Sequence, residues 1–417
     1  MIIFSHPTGN ANVRAAAIGL LDKSLLGNFY TSISTFPGDS LHRISTLSLF
    51  SEVSRRSFDP RLKSLTKMWP WREAGRLIAS KAGLSKLVQH ETGSFCIDAV
   101  YQSLDRRVAR NLQKRARIGT NAIYAYEDGA YYSFKEAKRL NLECFYDLPI
   151  GYWRAAKRLL EKERFLKPEW APTLVSFMDS DLKLANKDEE LRFADRIFVA
   201  SNFTASTLRE FPGTLCPVEV IPYGFPPVST GKDYTFFSKR RPLKLLFVGG
   251  LSQRKGIADL FAAVEALRNH VELTIVGLKP ECCNCPALDT ALAKHKWIPS
   301  MSHADILSLM QVQDVLVFPS LFEGFGLVIT ESMSQGTPVI TTDRTAGPDL
   351  IEHGRNGWLV EAGSAQALQA TIEELILRPS VISEVGKLAM DTAGRRPWEL
   401  YGQELAMAIE KHLYTVV

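Results

Sequence analysis

Two glutamates flank a glycine-containing turn in the segment FPSLFEGFGLVITESMSQGTPVI, which spans residues 318–340. Glu323 follows an apolar stretch and precedes Gly324, and Glu331 lies in the next stretch, after Gly326. The glycines allow the backbone to approach a ligand, and a helix that begins near Gly326 presents unpaired amides and the positive end of its dipole. The pattern therefore predicts a phosphate site at the start of a helix.

The spacing of the two acids indicates what else the ligand carries. Glu331 stands about five residues into the predicted helix, so at ~1.5 Å per residue it lies roughly 7–8 Å along the axis from the turn. One carboxylate therefore flanks each side of the anion site, and carboxylates accept paired hydrogen bonds from hydroxyl groups. A ligand with a central diphosphate and a hydroxylated ring at each end fits, and nucleotide sugars have this form.

A second glycine turn, followed by two cations, begins the same half of the chain in LLFVGGLSQRKGIADLFAAVEAL. Gly249 and Gly250 end an apolar run, and Arg254 and Lys255 precede a stretch of helical composition. Two cations beside a helix start neutralise a diphosphate and stabilise it further as it leaves. Arg254, Lys255 and Glu323 are therefore predicted to be catalytic, and the two glycines to line the ligand site.

Apolar runs that end in turn residues alternate with helical stretches along the whole chain. The first half has IIFSHPTG, AIYAYEDG, CFYDLPIG and RIFVASN, and the second has LKLLFVGG, ELTIVG, VLVFPS, PVITT and GWLVEAG. Runs this apolar are typical of strands buried on both faces, which occur in parallel sheets covered by helices. We predict an α/β fold of two doubly wound, Rossmann-like domains facing a cleft, with ligands beyond the carboxyl ends of the strands.

Length and proline content divide the chain into domains. At 417 residues it is too long for one ordinary core, and the proline-rich segment VEVIPYGFPPVSTGKDYTFFSKRRP breaks any continuing helix. We predict an N-terminal domain at 1–222, across the cleft from the nucleotide-sugar site, a hinge at 223–242, a C-terminal domain at 243–395 that carries both glycine turns, and a closing helix at 396–417 that returns to the N-terminal domain.

Composition excludes several classes of protein. An apolar fraction of 46% and a charged fraction of 23% are average for a globular domain, which excludes disordered, collagen-like and coiled-coil chains. The first residues lack the features of an export signal, and no apolar run reaches the ~18 residues that span a bilayer. We expect a cytoplasmic protein whose membrane contact, where there is any, is peripheral and at the inner face.

At these motifs the sequence resembles a known family. Residues 243–376 are similar to the donor-binding domain of the GT-B glycosyltransferases of family 4, whose mark is E-x7-E, here Glu323 to Glu331. FPSLFEGFGLVITESMSQGTPVITT and GPDLIEHGRNGWLVEAGSAQAL carry the resemblance, and ELRFADRIFVASNFT and VIPYGF extend it across the hinge. The resemblance implies retaining, metal-independent transfer of a sugar from a nucleotide sugar to an acceptor hydroxyl, in polysaccharide or glycolipid biosynthesis.

The resemblance also implies roles for the residues around the first turn. Glu323 would contact hydroxyl groups of the donor sugar, and Glu331 would contact the ribose. The sugar and phosphate would be held by the backbone amides of Gly324, Phe325, Gly326 and Leu327.

Around the second turn the chain departs from the family at one position. Lys255 falls on the family's diphosphate lysine, but Gly250 stands where many relatives have arginine. We infer that Arg254 takes over that arginine's role. The nucleotide base is expected against KWIPS, at Ile298, with the neighbouring Trp297 as a packing residue.

The N-terminal half contributes two more candidates. Gly9 lies in the turn of FSHPTGNANVRAAAIGLL, which is predicted to lie over the donor phosphates across the cleft. The family's acceptor-side histidine has no match, and Asp147 in CFYDLPIGYW stands at about its place. Asp147 is therefore either a catalytic residue or an aspartate that caps a turn.

The sequence predicts neither a metal nor a cofactor. The D-x-D at Asp179-Ser180-Asp181 precedes DLKLANKDEELRFAD, where acids favour the start of a helix. The cysteines of PECCNCP lack the paired C-x-x-C spacing of a zinc site and are expected to be reduced thiols. They are Cys282, Cys283 and Cys285.

Positive charge is concentrated at 55–81, where RRSFDPRLKSLTKMWPWREAGRLIASK has eight basic and two acidic residues against +5 for the whole chain. Basic residues interleaved with Trp69 and Trp71 suit an anionic membrane surface, and they fit equally a solvated helix with core aromatics. DRRVARNLQKRAR is a second basic run. No nucleic-acid motif accompanies these charges, so the expected partners are a UDP-, GDP- or ADP-linked sugar and a saccharide or lipid-linked acceptor.

Three rival functions use similar features. A nicotinamide-dependent dehydrogenase needs G-x-G-x-x-G with an acid about 20 residues later, and neither HPTGNANVR nor VGGLSQRKG supplies it. The donor motif leaves open a sugar-nucleotide epimerase or a phosphorylase of the same fold. A non-catalytic nucleotide-sugar-binding protein is the third alternative, and the presence of Glu323, Glu331 and Lys255 argues against it.

Overall fold

The chain folds into two α/β domains, each built on one parallel sheet. The computed structural model describes residues 1–39, 56–174, 178–234, 241–280 and 284–415. Helices connect successive strands of both sheets, so the predicted pair of Rossmann-like domains is confirmed. Arg55, Cys282 and Cys283 of the sequence motifs, and residues 235–240 of the predicted hinge, lie outside the described residues.

The N-terminal sheet contains seven described strands, all paired in parallel. They are β1 (Ile2–Ser5), β2 (Leu26–Thr31), β3 (Thr66–Met68), β4 (Ala122–Tyr126), β5 (Glu143–Leu148), β6 (Arg196–Val199) and β7 (Val218–Val220). Their order is β3-β2-β1-β4-β5-β6-β7, and β1 and β4 at the centre are buried at every residue, as their apolar sequences predict. The apolar runs do not predict β2, β3 or β7; β2 (LGNFYT) contains a glycine and an asparagine, which are depleted in strands.

Eight described helices lie between successive strands of the N-terminal half. They are α1 (Ala11–Asp22), α2 (Trp71–Lys81), α3 (Ser85–Val88), α4 (Ile97–Ala116), α5 (Tyr131–Arg139), α6 (Trp153–Leu166), α7 (Asp181–Phe193) and α8 (Asn202–Thr207). Serine hydroxyls cap two of them: Ser180 accepts from the amide of Lys183 in α7, and Ser201 accepts from the amide of Thr204 in α8. Short 3₁₀ helices lie at Pro60–Leu62, Pro168–Thr173 and Leu208–Glu210.

The C-terminal sheet contains six described strands, again all parallel. They are β8 (Leu243–Val248), β9 (Val271–Val276), β10 (Lys296–Ile298), β11 (Val315–Phe318), β12 (Val339–Thr342) and β13 (Trp358–Val360). Their order is β10-β9-β8-β11-β12-β13, so β8 and β11 are neighbours at the centre. The two glycine turns follow these two strands, and adjacent parallel strands bring their carboxyl ends to the same edge.

The helices of the C-terminal half complete the chain. They are α9 (Ile257–Ala266), α10 (Pro286–Leu292), α11 (His303–Gln311), α12 (Leu327–Ser334), α13 (Gly347–Leu350), α14 (Ala365–Leu377), α15 (Ser380–Gly394) and α16 (Trp398–Thr415). A 3₁₀ turn at Gln253–Lys255 precedes α9. Among the described residues, no helix combines the length and the apolar character needed to cross a membrane.

The last helix, α16, packs against α1 of the N-terminal domain. The two helices approach each other at Gly19 and Gly402, where a Cβ on Gly402 would lie 2.3 Å from the carbonyl oxygen of Ala15. Glycine on both sides therefore allows backbone contact between the first and last helices. Phe225, just after the last strand of the N-terminal sheet, receives a backbone contact from the segment before α16, since its amide donates to the carbonyl of Arg396 at 2.8 Å.

This crossing yields a prediction about stability. Gly402→Ala should destabilise the protein by about 1–3 kcal/mol, because the methyl group has no room between the helices and forces them apart. The matched control is Gly394→Ala in α15, where a Cβ would meet only Val228 at an ordinary 3.8 Å. Urea unfolding followed by circular dichroism measures both; equal stability of the Gly402 variant and the parent would show that the helices are not held at backbone contact.

Candidate active site

The second glycine turn joins β8 to the 3₁₀ turn that carries the two cations. Gly249 has φ +155°, and its carbonyl leaves no room for a Cβ on Gly277 of the neighbouring strand connection. Gly256 has φ +70°, and a Cβ there would lie 1.9 Å from the carbonyl oxygen of Pro319. Glycine is thus required at 256 because the turn after β8 touches the backbone after β11. At Gly250, by contrast, a Cβ would meet no heavy atom within 4 Å.

Arg254 fastens the two turns to each other. Its carbonyl accepts from the amide of Leu321 at 2.8 Å and from the Ser320 hydroxyl at 3.1 Å. Its guanidinium Nη1 donates to the carbonyl of Phe322 at 2.9 Å. Backbone and side chain of one residue therefore fix the loop that ends in Glu323.

Glu323 lies between the two predicted cations. Its carboxylate forms an ion pair with Lys255 and lies 3.4 Å from Nη1 of Arg254. The Lys255 ammonium also lies 4.8 Å from the centre of the Phe318 ring, which adds a cation–π contact. The side chains of Lys255 and Glu323 are each only 13% exposed, so this is a largely desolvated cluster with one net positive charge.

The surroundings shift the pKa values of both partners. Burial acts to raise the pKa of Glu323, but the charges of Lys255 and Arg254 outweigh it and hold that pKa below its usual value. Burial lowers the pKa of Lys255; Glu323 opposes this shift, and Arg254 adds to it. Glu323 therefore helps to keep Lys255 charged. A ligand that replaced Glu323 as the partner of Lys255 would have to be an anion.

The first turn has the geometry that its glycines predict. Gly326 has φ +87° and directly precedes α12, so the helix begins at Leu327. Phe325 is buried, and its ring centre lies 5.0 Å from that of Tyr223 in the hinge. In the first turn of α12 the amide of Ile329 donates to the carbonyl of Gly326 at 2.9 Å. The amides of Leu327 and Val328 precede the regular helix bonds, so they can donate to an anion beside the Glu323 cluster.

Glu331 lies in the middle of α12, eight residues after Glu323. Its carboxylate oxygen Oε1 lies 2.9 Å from Nε2 of His303, which begins α11. Ile298 ends β10 and is half-buried; its carbonyl accepts from the amide of Gly277 at 3.0 Å. Trp297 donates from its indole nitrogen to the carbonyl of Gly277 at 2.9 Å, a contact in keeping with its predicted packing role.

The N-terminal domain contacts the first turn directly. The hydroxyls of Ser201 and Thr204 both donate to the carbonyl oxygen of Gly324, the latter at 2.8 Å. A Cβ on Gly324 would lie 1.9 Å from the carbonyl oxygen of Pro149. Gly324 is therefore pressed between domains, and its glycine identity serves this contact. Sequence patterns give no signal for the bond from Ser201 to residue 324.

A second contact between domains reaches the cation-bearing turn. Thr173, after α6, accepts from the backbone amide of Gln253 at 2.8 Å, and Glu163 accepts from the Gln253 side chain at 3.0 Å. Trp170 stacks on Phe261 of α9, with ring centres 5.7 Å apart. Gln253 is fully buried and precedes Arg254, so residues of the N-terminal half hold the turn in place. Sequence reasoning missed Gln253, because a glutamine between a turn and a helix carries no pattern of its own.

The two N-terminal candidates lie in the domain opposite the cations. Gly9 follows β1, and a Cβ there would lie 2.6 Å from the ring of Phe58. Asp147 is only 3% exposed in β5 and accepts a hydrogen bond of 2.5 Å from the hydroxyl of Tyr124. Burial raises the pKa of Asp147 to about 7, and the hydrogen bond from Tyr124 opposes the rise. The structure thus places Asp147 in an interior tyrosine cluster, and its catalytic role stays a prediction.

Lysine side chains form ion pairs with Asp179 of the D-x-D motif. Asp179 lies 3.0 Å from the ammonium of Lys183 and 3.6 Å from that of Lys187, and it also contacts His90 at 2.9 Å. His90, Glu91 and Asp179 form the one group in the described residues with metal-ligand geometry. The ammonium groups already neutralise Asp179, so these residues do not fit a divalent cation well.

The described cysteine of the PECCNCP motif, Cys285, is buried, and its thiol donates to the carbonyl of Glu169 at 3.2 Å.

The buried Asp147 gives a prediction about pH. Its pKa of about 7 in the folded state exceeds the usual 3.8, so the folded state binds the extra proton and the stability of the protein falls as pH rises from about 4 to 7. Asp147→Asn removes this charge and keeps the acceptor for Tyr124. The variant should therefore match the parent near pH 4 and exceed it above pH 7 by a few kcal/mol, at about 1.4 kcal/mol per unit.

Urea unfolding at pH 4, 6 and 8 measures this difference, with the exposed Asp391→Asn as the control. A difference between Asp147→Asn and the parent that is the same at all three pH values would contradict a buried carboxyl with a raised pKa.

Part of the chain, including this site, matches a known protein family. Residues 235–389 match the family model described as glycosyl transferases group 1. Glycogen synthase of Mycobacterium tuberculosis is 27% identical over 163 residues, which are 37% of this chain and 39% of that protein. The amylovoran biosynthesis glycosyltransferase AmsK of Erwinia amylovora is 30% identical over 150 residues, 32% of this chain and 36% of that protein. The chain thus spans well under half the length of these curated relatives.

Solved structures match over the whole length. Sucrose-phosphate synthase from Thermosynechococcus elongatus has a TM-score of 0.67 at 18% identity, covering 100% of this chain and 99% of that one. The Anabaena protein HepE, solved in complex with UDP-glucose, has a TM-score of 0.60 at 18% identity, with 98% and 99% covered. At this identity the likeness concerns the fold. Residues 235–389 therefore match the group 1 glycosyltransferase model, and the chain as a whole has the two-domain GT-B fold of these solved structures.

Proposed function

We propose that the protein is a glycosyltransferase of family 4 that moves a sugar from a nucleotide sugar to an acceptor hydroxyl, with retention of configuration and without a metal. The observation that carries this proposal is the cluster of Lys255, Arg254 and Glu323 beside the start of α12. It joins two cations, a carboxylate and a helix N-terminus at the sheet edge between two domains, which suits a diphosphate joined to a sugar.

Each part of the donor has a group that suits it. Lys255 and Arg254 hold the diphosphate, together with the amides that begin at Gly324 and continue into α12. Glu323 accepts from the sugar hydroxyls, and Glu331, oriented by His303, accepts from the ribose. The base lies against the backbone at Ile298. Gly249, Gly250 and, across the cleft, Gly9 lie around the phosphates, and the open space beside Gly250 admits them.

The reaction needs positioning and charge stabilisation more than it needs an added catalyst. The bond between the anomeric carbon and the diphosphate oxygen breaks, and the acceptor oxygen bonds to the same face of that carbon. The acceptor proton passes to an oxygen of the departing diphosphate. Lys255 and Arg254 stabilise the charge that develops on this leaving group, in a site where low exposure strengthens the interaction.

The contacts between domains support a closed, water-excluding site. Gly324 is bonded by Ser201 and Thr204, and Gln253 is held by Thr173 and Glu163. Both anchored positions are next to the proposed catalytic groups. The N-terminal domain therefore orients the donor site as well as facing the acceptor.

The acceptor is proposed to be a saccharide or a lipid-linked saccharide. The amylovoran biosynthesis relative supports a role in polysaccharide or glycolipid biosynthesis, and the UDP-glucose complex of HepE supports a UDP-sugar as the first donor to test. A cytoplasmic location and a peripheral contact between residues 55–81 and an anionic membrane belong to the same proposal, because a lipid-linked acceptor is presented at a membrane surface.

A panel of UDP-, GDP- and ADP-sugars tests the proposal. One donor should raise the thermal midpoint of the protein and release its nucleoside diphosphate slowly in the absence of acceptor, also in the presence of EDTA. Glu331→Ala should weaken its binding about ten- to hundredfold, since a hydrogen bond to a carboxylate contributes about 1.5–3 kcal/mol. Glu352→Ala, which removes a 66% exposed glutamate of the same domain, should leave binding unchanged.

The outcome also separates the rival functions. An epimerase would yield a changed nucleotide sugar without free diphosphate, and a phosphorylase would require inorganic phosphate. A non-catalytic binding protein would be stabilised by a donor and release nothing, even with saccharide acceptors present. Transfer with inversion, or full dependence on a divalent cation, would refute the proposed mechanism while leaving the enzyme class intact.

A further inference from the structure

A groove lined by four arginines runs between α2 and α4 on the N-terminal domain. It has a volume of about 220 Å³, and its walls include Trp69, Arg72, Arg106, Arg107 and Arg110. Arg106 and Arg107 lie four and three residues before Arg110 on α4, so each is a neighbour of Arg110 on the helix surface, and all three line the groove. The groove is separate from the Glu323 cluster, which belongs to the other domain.

These arginines lack the acidic partners that guanidinium groups usually have. Within the described part of the chain, none of the four forms an ion pair with a carboxylate. Arg106 lies 4.4 Å over the ring of Tyr132, Arg107 lies 4.8 Å over that of Trp69, and Arg72 donates to the carbonyl of Ser94. Ring and carbonyl contacts orient the guanidinium groups but leave their charge uncompensated, so the groove attracts anions.

The sequence around the groove adds to this field. Residues 56–117 contain fourteen lysines and arginines against five acids, a net charge of +9 in a chain whose total is +5. Three of the five acids, Glu73, Asp98 and Asp105, are buried. The exposed part of this segment is thus almost wholly basic, and the rest of the chain is net acidic.

Large apolar side chains stand exposed beside the groove. Trp71 is 69% exposed and Ile78 is 68% exposed, and their spacing of seven residues puts both on one face of α2. Met68 and Leu84, at either end of this helix, are about half exposed. Surface helices rarely present so much apolar area next to arginines unless a partner covers it.

We propose that this surface, formed by the groove and the exposed face of α2, binds the headgroup region of an anionic phospholipid membrane. The guanidinium groups of the groove hold lipid phosphates, while Trp71 and Ile78 enter the boundary between headgroups and acyl chains. A soluble polyanion would satisfy the arginines but leave the tryptophan and isoleucine in water, and the exposed apolar face therefore favours a lipid surface.

This inference extends the membrane contact of the proposed function from residues 55–81 to the arginine face of α4. It rests on that function only for its purpose, which is to bring the enzyme to lipid-linked acceptors. Vesicle binding needs no donor, so its result is independent of whether the protein transfers a sugar.

Co-sedimentation with vesicles tests the proposal. The full-length protein should pellet with phosphatidylglycerol-containing vesicles and stay in the supernatant with pure phosphatidylcholine. Arg106→Gln with Arg110→Gln should reduce the partition coefficient about twenty- to thirtyfold, because each basic residue near an anionic surface contributes about fivefold. Trp71→Ser with Ile78→Ser should reduce it on the order of tenfold, through the lost apolar burial.

The matched control is Arg268→Gln with Arg378→Gln, which removes two exposed arginines of the C-terminal domain and should change nothing. Far-UV circular dichroism checks that each variant is folded. Full-length protein that stays in the supernatant with anionic vesicles would overturn the proposal, as would an equal loss in the control. Loss in the arginine variant alone, with full binding by the Trp71/Ile78 variant, would show that the surface attracts anions without apolar insertion, as it would a soluble polyanion, and would also overturn the proposal.

Discussion

The ion pair between Lys255 and Glu323 depends on the contact between the loops that follow β8 and β11. Arg254 bonds to three successive residues of the second loop, and Gly256 lets the first loop touch the backbone at Pro319. Two partly buried charges are stable at this position only because they neutralise each other and Arg254 supports the carboxylate. The same arrangement leaves one excess positive charge where the amides of α12 begin, and this is the electrostatic basis of the proposed donor site.

The domains do not simply face each other across this site; each constrains it. Ser201 and Thr204 fix the carbonyl of Gly324, and Glu163 and Thr173 fix Gln253. Both contacts bind loops, which are the parts of an α/β domain most free to move. A preorganised site costs less to order when a ligand binds, so in the proposed enzyme these contacts would support affinity and turnover without touching the donor.

The sequence predicted the parts of the fold and site that rest on local patterns. Apolar runs identified the central strands, and the glycines at 324 and 326 with their flanking acids marked the start of α12. Contacts between distant residues left no such trace, which is why Gln253 and the bond from Ser201 to Gly324 were not foreseen. Asp147 shows the same limit, because the pattern that suggests a catalytic acid after a strand also fits an aspartate buried among tyrosines. Strand β2 was missed because it contains a glycine and an asparagine, which are depleted in strands, although nearly all of its residues are buried.

The proposed site depends on Lys255 binding the diphosphate. Binding of a ligand with the diphosphate and of one without it, to the parent and to a Lys255 variant, tests this role. Calorimetry would give the affinity of the nucleoside diphosphate of the preferred donor, and of the matching nucleoside, for the parent and for Lys255→Met, with the exposed Lys294→Met as the control. Lys255→Met should weaken binding of the nucleoside diphosphate at least tenfold and leave binding of the nucleoside unchanged, since a hydrogen-bonded charge pair contributes about 1.5–3 kcal/mol. An equal loss for both ligands, or no loss for either, would contradict this role.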